Sequence, residues 1–313
     1  MIYTVTINPS IDYIVQLDKL TLGEVNRMDY DNKLPGGKGI NVSRILKELG
    51  HDNIAWGFLG GFTGNFVKEE LEKVGLKTDF TPIAADTRIN VKIKAQNETE
   101  INGQGPKLTE EEISAFTEKF DHLTSDDVVI FAGSLVPSLN DDFYFDLIKI
   151  IRSKGAQFVI DTTGESLRKT LAEKPLVKVL KYRPFLIKPN NHELADLFGV
   201  EFNGIDDIVK YGRKLLDMGA QNVLVSMAGD GGLMITNEGV WRSLAPKGTV
   251  INSVGAGDSM LAGFVGTYAS TKDPIEAFHY GLASGSATAF SEDLATREKI
   301  DEIYAQITID EYK

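Results

Sequence analysis

The 313-residue sequence contains no cysteine, which excludes disulfides, thiolate catalysis and any cysteine zinc site. That absence fits a reducing cytoplasm. No basic segment followed by an apolar run opens the chain at MIYTVTINPSID, so no signal peptide is expected. Long apolar stretches are missing as well. The least polar one, residues 259–271, falls short of the ~20 residues that cross a bilayer. Positive charge is scarce, with 33 lysines and arginines against 45 aspartates and glutamates and a net charge of −12. Such a surface repels nucleic acid and anionic membranes, which excludes both as partners. It repels a phosphorylated substrate too, so any phosphate site has to be built locally from lysine, arginine and helix N-termini. His51, His122, His192 and His279 lack metal-ligand spacing and read as structural or surface residues.

Repeats, low-complexity tracts and Pro/Ser-rich linkers are also absent, so one domain over 1–313 is the simplest organisation. Hydrophobic residues make up 42% and charged residues 25%, a composition from which an ordinary core forms without metals or cross-links. Apolar runs at 3–7, 54–59, 128–132, 158–161, 185–188 and 223–227 predict strands. Amphipathic patterns at 39–49, 64–74, 142–153, 192–198 and 208–218 predict the helices between them. That alternation predicts parallel βαβ units in a sheet covered on both faces. Two stretches break it: 13–17 with 27–33, and 89–95 with 98–102. In the second, Asn90-Val91-Lys92-Ile93-Lys94 alternates with period two, as a half-exposed strand does. These are read as a small antiparallel flap. Residues 232–236 and 240–244 predict a hairpin.

The strongest local signal is Asn252-Ser253-Val254-Gly255-Ala256-Gly257-Asp258-Ser259, followed by an apolar helical run at 260–268. Glycines 255 and 257 let backbone N–H groups approach a ligand, and the helix start adds partial positive charge. Together they suit a transferring phosphoryl group. Asp258 then stands where an acceptor hydroxyl must sit and can take its proton. The alternative for Asp258 is a plain N-cap in a glycine turn.

A second glycine-rich helix start is Pro35-Gly36-Gly37-Lys38-Gly39-Ile40-Asn41. Lys38 supplies charge, and Asn41 can hydrogen-bond a sugar hydroxyl. It is not a Walker A loop, because Gly39 follows the lysine and Asn32 occupies the position of the first glycine. It is not G-x-G-x-x-G either, because Val42 fills the third glycine's place. Asn8-Pro9-Ser10-Ile11-Asp12 follows the first strand, which predicts Asp12 at a sheet's carboxyl end, where open α/β folds bind ligands. Its alternative is a turn aspartate. Arg88, at the root of the flap, can grip a phosphate bidentately or lie on the surface. Within Lys188-Pro189-Asn190-Asn191-His192-Glu193, Asn190 and Glu193 can orient magnesium and its waters or simply cap a helix. Ser226-Met227-Ala228-Gly229-Asp230-Gly231-Gly232 suits nucleotide contacts or a tight hairpin.

In one order, NPSID, PGGKGIN, TRIN, GSLVPS, KPNNHE, SMAGDGG and NSVGAGD cover essentially the whole chain. Together they resemble the ribokinase-like sugar kinases, in their phosphofructokinase B branch. GGKGIN and VGAGDS are the specific pair. The resemblance implies a three-layer α/β/α sandwich with a small β-sheet lid, often dimerising through the lids, and it implies ATP and Mg2+. Asp258 would be the base, with Gly255, Ala256 and Gly257 as the anion hole. Asp12, Gly37, Lys38, Gly39, Asn41, Arg88 and Ser134 would hold a sugar phosphate. Arg27 would reach it from the chain's own lid or its partner's. Lys188, Asn190, Glu193, Ser226, Gly229, Gly231, Asn252 and Ser284 would lie along the ATP site, with Glu193 holding magnesium through water. MIYTVTINPSIDYIV, DTRINVKIK, ETEINGQGP and SGSATAFSE point, within the branch, to phosphorylation of fructose 1-phosphate at its 6-hydroxyl. Leu135-Val136-Pro137 departs from the branch's usual Leu-Pro, and Lys181-Tyr182-Arg183 has no counterpart in the pattern.

Tagatose 6-phosphate and fructose 6-phosphate remain alternative acceptors. A non-catalytic sugar-phosphate sensor would have lost Asp258, and an NAD-dependent oxidoreductase would carry G-x-G-x-x-G after the first strand.

Overall fold

The computed structural model describes residues 1–140, 142–161 and 179–313. Seven parallel strands form the body of a ten-stranded sheet: β5 (Thr78–Ile83), β4 (Asn53–Gly60), β1 (Ile2–Thr6), β8 (Val128–Phe131), β9 (Gln157–Ile160), β10 (Leu186–Ile187) and β11 (Val223–Ser226). Antiparallel β12 (Gly232–Ile235), β13 (Val240–Ser243) and β14 (Asp310–Glu311) extend it. The helices are α1 (Lys38–Glu48), α2 (Gly61–Lys73), α3 (Glu110–Glu118), α4 (Phe143–Ser153), α5 (Asn191–Phe198), α6 (Ile205–Asp217), α7 (Ala256–Thr271), α8 (Pro274–Ala289) and α9 (Arg297–Tyr304).

Strand side chains alternate between faces, and β8 shows the consequence. Val128 and Ile130 pack with residues of α1, α7, α8 and α9, whereas Val129 and Phe131 pack with residues of α3 and α4. Leu194 of α5 and Leu215 of α6 continue the second layer against Ile187, Val223 and Val225. Each fully buried side chain of this size contributes roughly 1.5–3 kcal/mol of transfer free energy, so the two layers fix the sheet rigidly beneath its carboxyl edge.

A second sheet stands apart, in the order β3 (Tyr30–Gly36), β2 (Ser10–Gln16), β6 (Arg88–Lys94), β7 (Glu98–Asn102). This is the lid. It is not wholly antiparallel, as its sequence suggests, because its central pair β2–β6 is parallel. The cause is connectivity. β2 leaves the end of β1 and β6 leaves the end of β5, so both depart from the same edge of the main sheet in the same direction. Residues 27–29, expected in a strand, precede β3 instead. α3, α8, α9, β5 and β14 had not been anticipated. Among the described residues, no helix is long and apolar enough to cross a membrane.

Candidate active site

Asp258 lies in the first turn of α7, 5% exposed. Gly255 precedes the helix in the left-handed region at φ 79°, a conformation that favours glycine. A Cβ there would also press on Leu294 at 2.7 Å. Asn252 shapes this loop from within: its Oδ1 accepts from the Val254 N–H at 3.0 Å and its Nδ2 donates to the Glu292 carbonyl at 3.0 Å. Ala256 and Gly257 are half-buried at the helix start; the Ala256 N–H is spent on the Ser253 carbonyl at 3.3 Å, which leaves Gly257 as the better donor of the expected anion hole.

Asn41, one turn into α1, donates to Asp258 Oδ2 at 2.9 Å. Lys38, at the start of that helix, reaches Asp161 Oδ2 at 3.2 Å, and Lys188 reaches Asp161 Oδ1 at 3.3 Å. Lys188 Nζ also lies 3.4 Å from where a Cβ of Gly257 would stand. Lys38, Asn41, Asp161, Lys188, Gly257 and Asp258 thus form one cluster at the carboxyl edge of the parallel strands. Open α/β sheets bind ligands at that edge.

Burial pushes the Asp258 carboxyl up to about 6, against the pull of Lys38 and with a further push from Asp161. Burial pulls the Lys38 ammonium down, but Asp161 and Asp258 outweigh it and hold the group above its ordinary value. Burial also raises Glu193, while the Asn190 N–H and Lys188 oppose the rise.

The glycines of the second motif have a packing cause. Gly37 sits at φ 129°, and a Cβ on Gly39 would run into Thr6 Oγ1 and the Val5 carbonyl. They let α1 start tight against β1, which brings Lys38 and Asn41 inward. Ser134 is half-buried beside Gly133, whose own Cβ would stand 3.7 Å from Lys38 Cβ.

Asp12 is not in the turn after β1 but on β2 of the lid, because pairing with β3 and β6 resumes at Ser10. Its Oδ1 accepts from Ser10 Oγ at 2.8 Å and Asn90 Nδ2 at 3.0 Å, and Lys92 Nζ lies 3.3 Å from Oδ2. Its carboxylate packs over Gly36, which has no room for a Cβ, two residues before Lys38. Arg88 is half-buried and ties the lid root together through the Gly103 and Asn8 carbonyls, both at 2.9 Å. Each of its terminal nitrogens keeps a second N–H. Arg27 falls elsewhere. With Tyr13, Val15, Met28, Val91 and Ile93 it lines a groove of about 540 Å³ on the lid's apolar face, opposite the face carrying Asp12. It does not turn toward its own chain's site.

On the other flank, Asn190 and Glu193 form a capping box. The Asn190 side chain accepts from the Glu193 N–H, and Glu193 Oε2 accepts from the Asn190 N–H, both at 2.8 Å. Glu193 Oε1 stays uncommitted to the cap. Among the described residues, no three acidic or histidine side chains gather to hold a metal outright. The Glu193 carboxylate with its Oε1 outside the cap fits magnesium, which keeps its waters and takes one or two carboxylates alongside substrate phosphates. Ser226 pairs with Asn190 in an isolated bridge. Gly229 is open on all sides, and Gly231 bends at φ 88° under the Ser243 carbonyl. Ser284 faces no cleft. It is fully buried, donates to the Tyr280 carbonyl at 2.7 Å and packs where α8 meets Gly263 of α7. Of the two unfamiliar segments, Val136 is buried in the core, and Arg183 turns the chain at φ 55° before β10.

Sequence reasoning missed Asp161, Asn90 and Lys92 as site residues. Asp161 had a signal: like Lys188, it is a charged residue closing an apolar parallel strand.

The model of the pfkB family carbohydrate kinases matches residues 5–300. The chain is a pfkB family carbohydrate kinase. It is 47% identical over 309 residues, 99% of each chain, to the 1-phosphofructokinase of Bacillus subtilis. Among solved structures, it superposes on Escherichia coli phosphofructokinase-2 in complex with fructose-6-phosphate with a TM-score of 0.87 at 26% identity, covering 97% of this chain and 98% of that one. An Arabidopsis thaliana ribokinase complexed with ribose and ATP shares the fold at a TM-score of 0.77 and 18% identity, again over 97% and 98%. The three-layer, ribokinase-like architecture expected from the sequence is therefore the fold of this kinase.

Proposed function

We propose that this kinase transfers the γ-phosphoryl of ATP to the 6-hydroxyl of fructose 1-phosphate, giving fructose 1,6-bisphosphate. The observation that carries the chemistry is Asp258, buried at a helix N-terminus and held by Asn41. At neutral pH its carboxyl is mostly ionised, because its pKa of about 6 lies below the ambient value. It can then take the hydroxyl proton as the phosphoryl leaves, a contribution of roughly 10²–10⁴ in rate.

Phosphoryl transfer asks mainly for positioning and charge stabilisation. Lys38 and Lys188 supply positive charge on either side of Asp161, and the Gly257 N–H at the helix start would meet the transferring group. Bound magnesium supplies charge neutralisation on the nucleotide phosphates, and Glu193 would hold it through water. The nucleotide lies along Lys188, Asn190, Ser226 and the open turn at Gly229. The sugar phosphate lies under the lid, against Asp12, Asn41, Ser134 and the remaining N–H groups of Arg88. Lid closure excludes water and limits wasteful hydrolysis.

The exposed apolar side of the lid, with Met28 53% and Ile101 59% accessible, suits a second copy of the chain, and Arg27 would then serve the partner's site. ATP and phosphorylated sugars are cytoplasmic metabolites, and a cytoplasmic reaction is part of this reading. We treat the whole chain as a single catalytic domain with its lid.

The choice of acceptor rests on the likeness to the Bacillus enzyme. It is tested by ADP release with Mg·ATP and fructose 1-phosphate, fructose 6-phosphate or tagatose 6-phosphate. Fructose 1-phosphate is expected to give the highest kcat/KM. A higher value with another acceptor keeps the kinase chemistry and overturns the specificity. Binding without ADP release from any acceptor would favour a sensor.

A further inference from the structure

We propose that Asp161 is a positioning residue of the transfer reaction, a single buried carboxylate that ties the acceptor-side Lys38 to the donor-side Lys188 behind Asp258. The proposal rests on the reading of Asp258 as the base. Asp161 closes β9, and its side chain is 0% exposed. One of its oxygens meets Lys38 and the other meets Lys188.

From there the contacts run in a ring. Lys38 belongs to the helix whose Asn41 holds Asp258, Asp258 follows Gly257, and Gly257 lies against Lys188. Moving any member displaces the others, so the acceptor-side and donor-side cations are registered to the base through one carboxylate. Stability alone does not call for this arrangement. Buried ion pairs are often no more stabilising than apolar replacements of the same volume, and Lys188 is itself 1% exposed. The ring's value is geometric, since misplacing reacting groups by ~1 Å can cost ~10²-fold in rate.

Among the described residues, the groups facing Asp258 are Lys38, Asp161, Lys188 and the Asn41 amide. Asp161 is the one negative charge among them. Removing it leaves two cations beside the base, which favours the ionised form and moves its titration to lower pH.

The test is a pair of variants of the full-length enzyme, Asp161→Asn and Asp161→Glu, with Asp258→Asn in parallel. Asp161→Asn keeps the shape and removes the charge. Its kcat is expected to fall about 100-fold, with the acid limb of kcat/KM displaced downward by about one pH unit. A limb that stays in place overturns the proposal, and a misfolded fraction does not affect this readout because it cancels from the profile's shape. Should Asp161→Asn fail to fold, Asp161→Glu decides. It keeps the charge and shifts it by one methylene, so the limb should hold while kcat drops about tenfold or more. A kcat within about threefold of the parent overturns the proposal. Asp258→Asn separates the two layers of the argument. If it retains turnover, the base assignment fails and this proposal with it. If it is inactive while the limb of Asp161→Asn has not moved, only the positioning role fails.

Discussion

Around Asp258 the side chains of Asp161 and Lys188 are shut away from water at 0% and 1% exposure, and Lys38 keeps 33% at the mouth of the cluster, whereas every charged group of the Asp12 network in the lid stands partly in water. There Asp12 is 19%, Lys92 13% and Glu100 41% exposed. The first set is carried by α1, α7 and the ends of parallel strands, all locked by the core. The second is carried by four strands attached at one edge. In a dry setting a fixed charge acts strongly and costs no reorganisation during the reaction. On a partly solvated sheet the same charge is screened, which suits holding a ligand and letting it go. Under the proposed function, the difference puts the chemistry in the cluster and the hold on the sugar in the lid.

That division can be broken by mutating each side. Of the variants that set cluster against lid, Lys38→Met should have the largest effect, lowering kcat about 10²–10³-fold, as loss of one preorganised donor does; steady-state ADP release measures it. Asp12→Ala should instead raise KM for the sugar phosphate about tenfold and leave KM for ATP unchanged, the signature of lost ground-state binding. A fall in kcat as large as that of Lys38→Met would erase the contrast. Val15→Asp, on the apolar side of the lid, should leave monomers in sedimentation where the proposed lid-to-lid dimer is expected of the parent, because an unpaired carboxylate is costly in a closed apolar contact.

The smallest effect concerns stability. The folded pKa of Asp258 is raised from 3.8 to about 6, so its ionised form is disfavoured in the fold. The cost is fully present above the folded value and disappears as pH falls through the window toward the unfolded value. Asp258→Asn should therefore raise Tm by a few degrees near neutral pH and by less in acid, read from thermal melts at two pH values.

The main sheet was readable because its strands are apolar runs separated by amphipathic helices. The cluster's two helix starts were readable because each needs glycines at fixed places beside a charged residue. Other elements hid for physical reasons. α8 is buried on most sides and shows no one-sided period of a surface helix; α7, with ten consecutive buried residues from Asp258 to Thr267, is as apolar, but the glycine motif before it marked it as a helical run. α3 did carry a mark, the Thr109–Glu112 capping box. A similar box at Asn190 and Glu193 was readable both as a cap and as a magnesium holder. The cap forms and leaves one carboxylate oxygen for the second role. Asp161 carried one mark, a charge closing an apolar strand, but its role shows once Lys38 and Lys188, distant in sequence, close on it. Ser284 misled for the opposite reason: its place in a family pattern carries no information about burial.

The most direct measurement is ADP release by Asp258→Asn with Mg·ATP and fructose 1-phosphate, alongside calorimetric binding of both substrates. Turnover reduced by roughly 10²–10⁴ with binding of both nearly unchanged is the expected result. Near-normal turnover would show that another group takes the proton and that the buried cluster is not the seat of the chemistry.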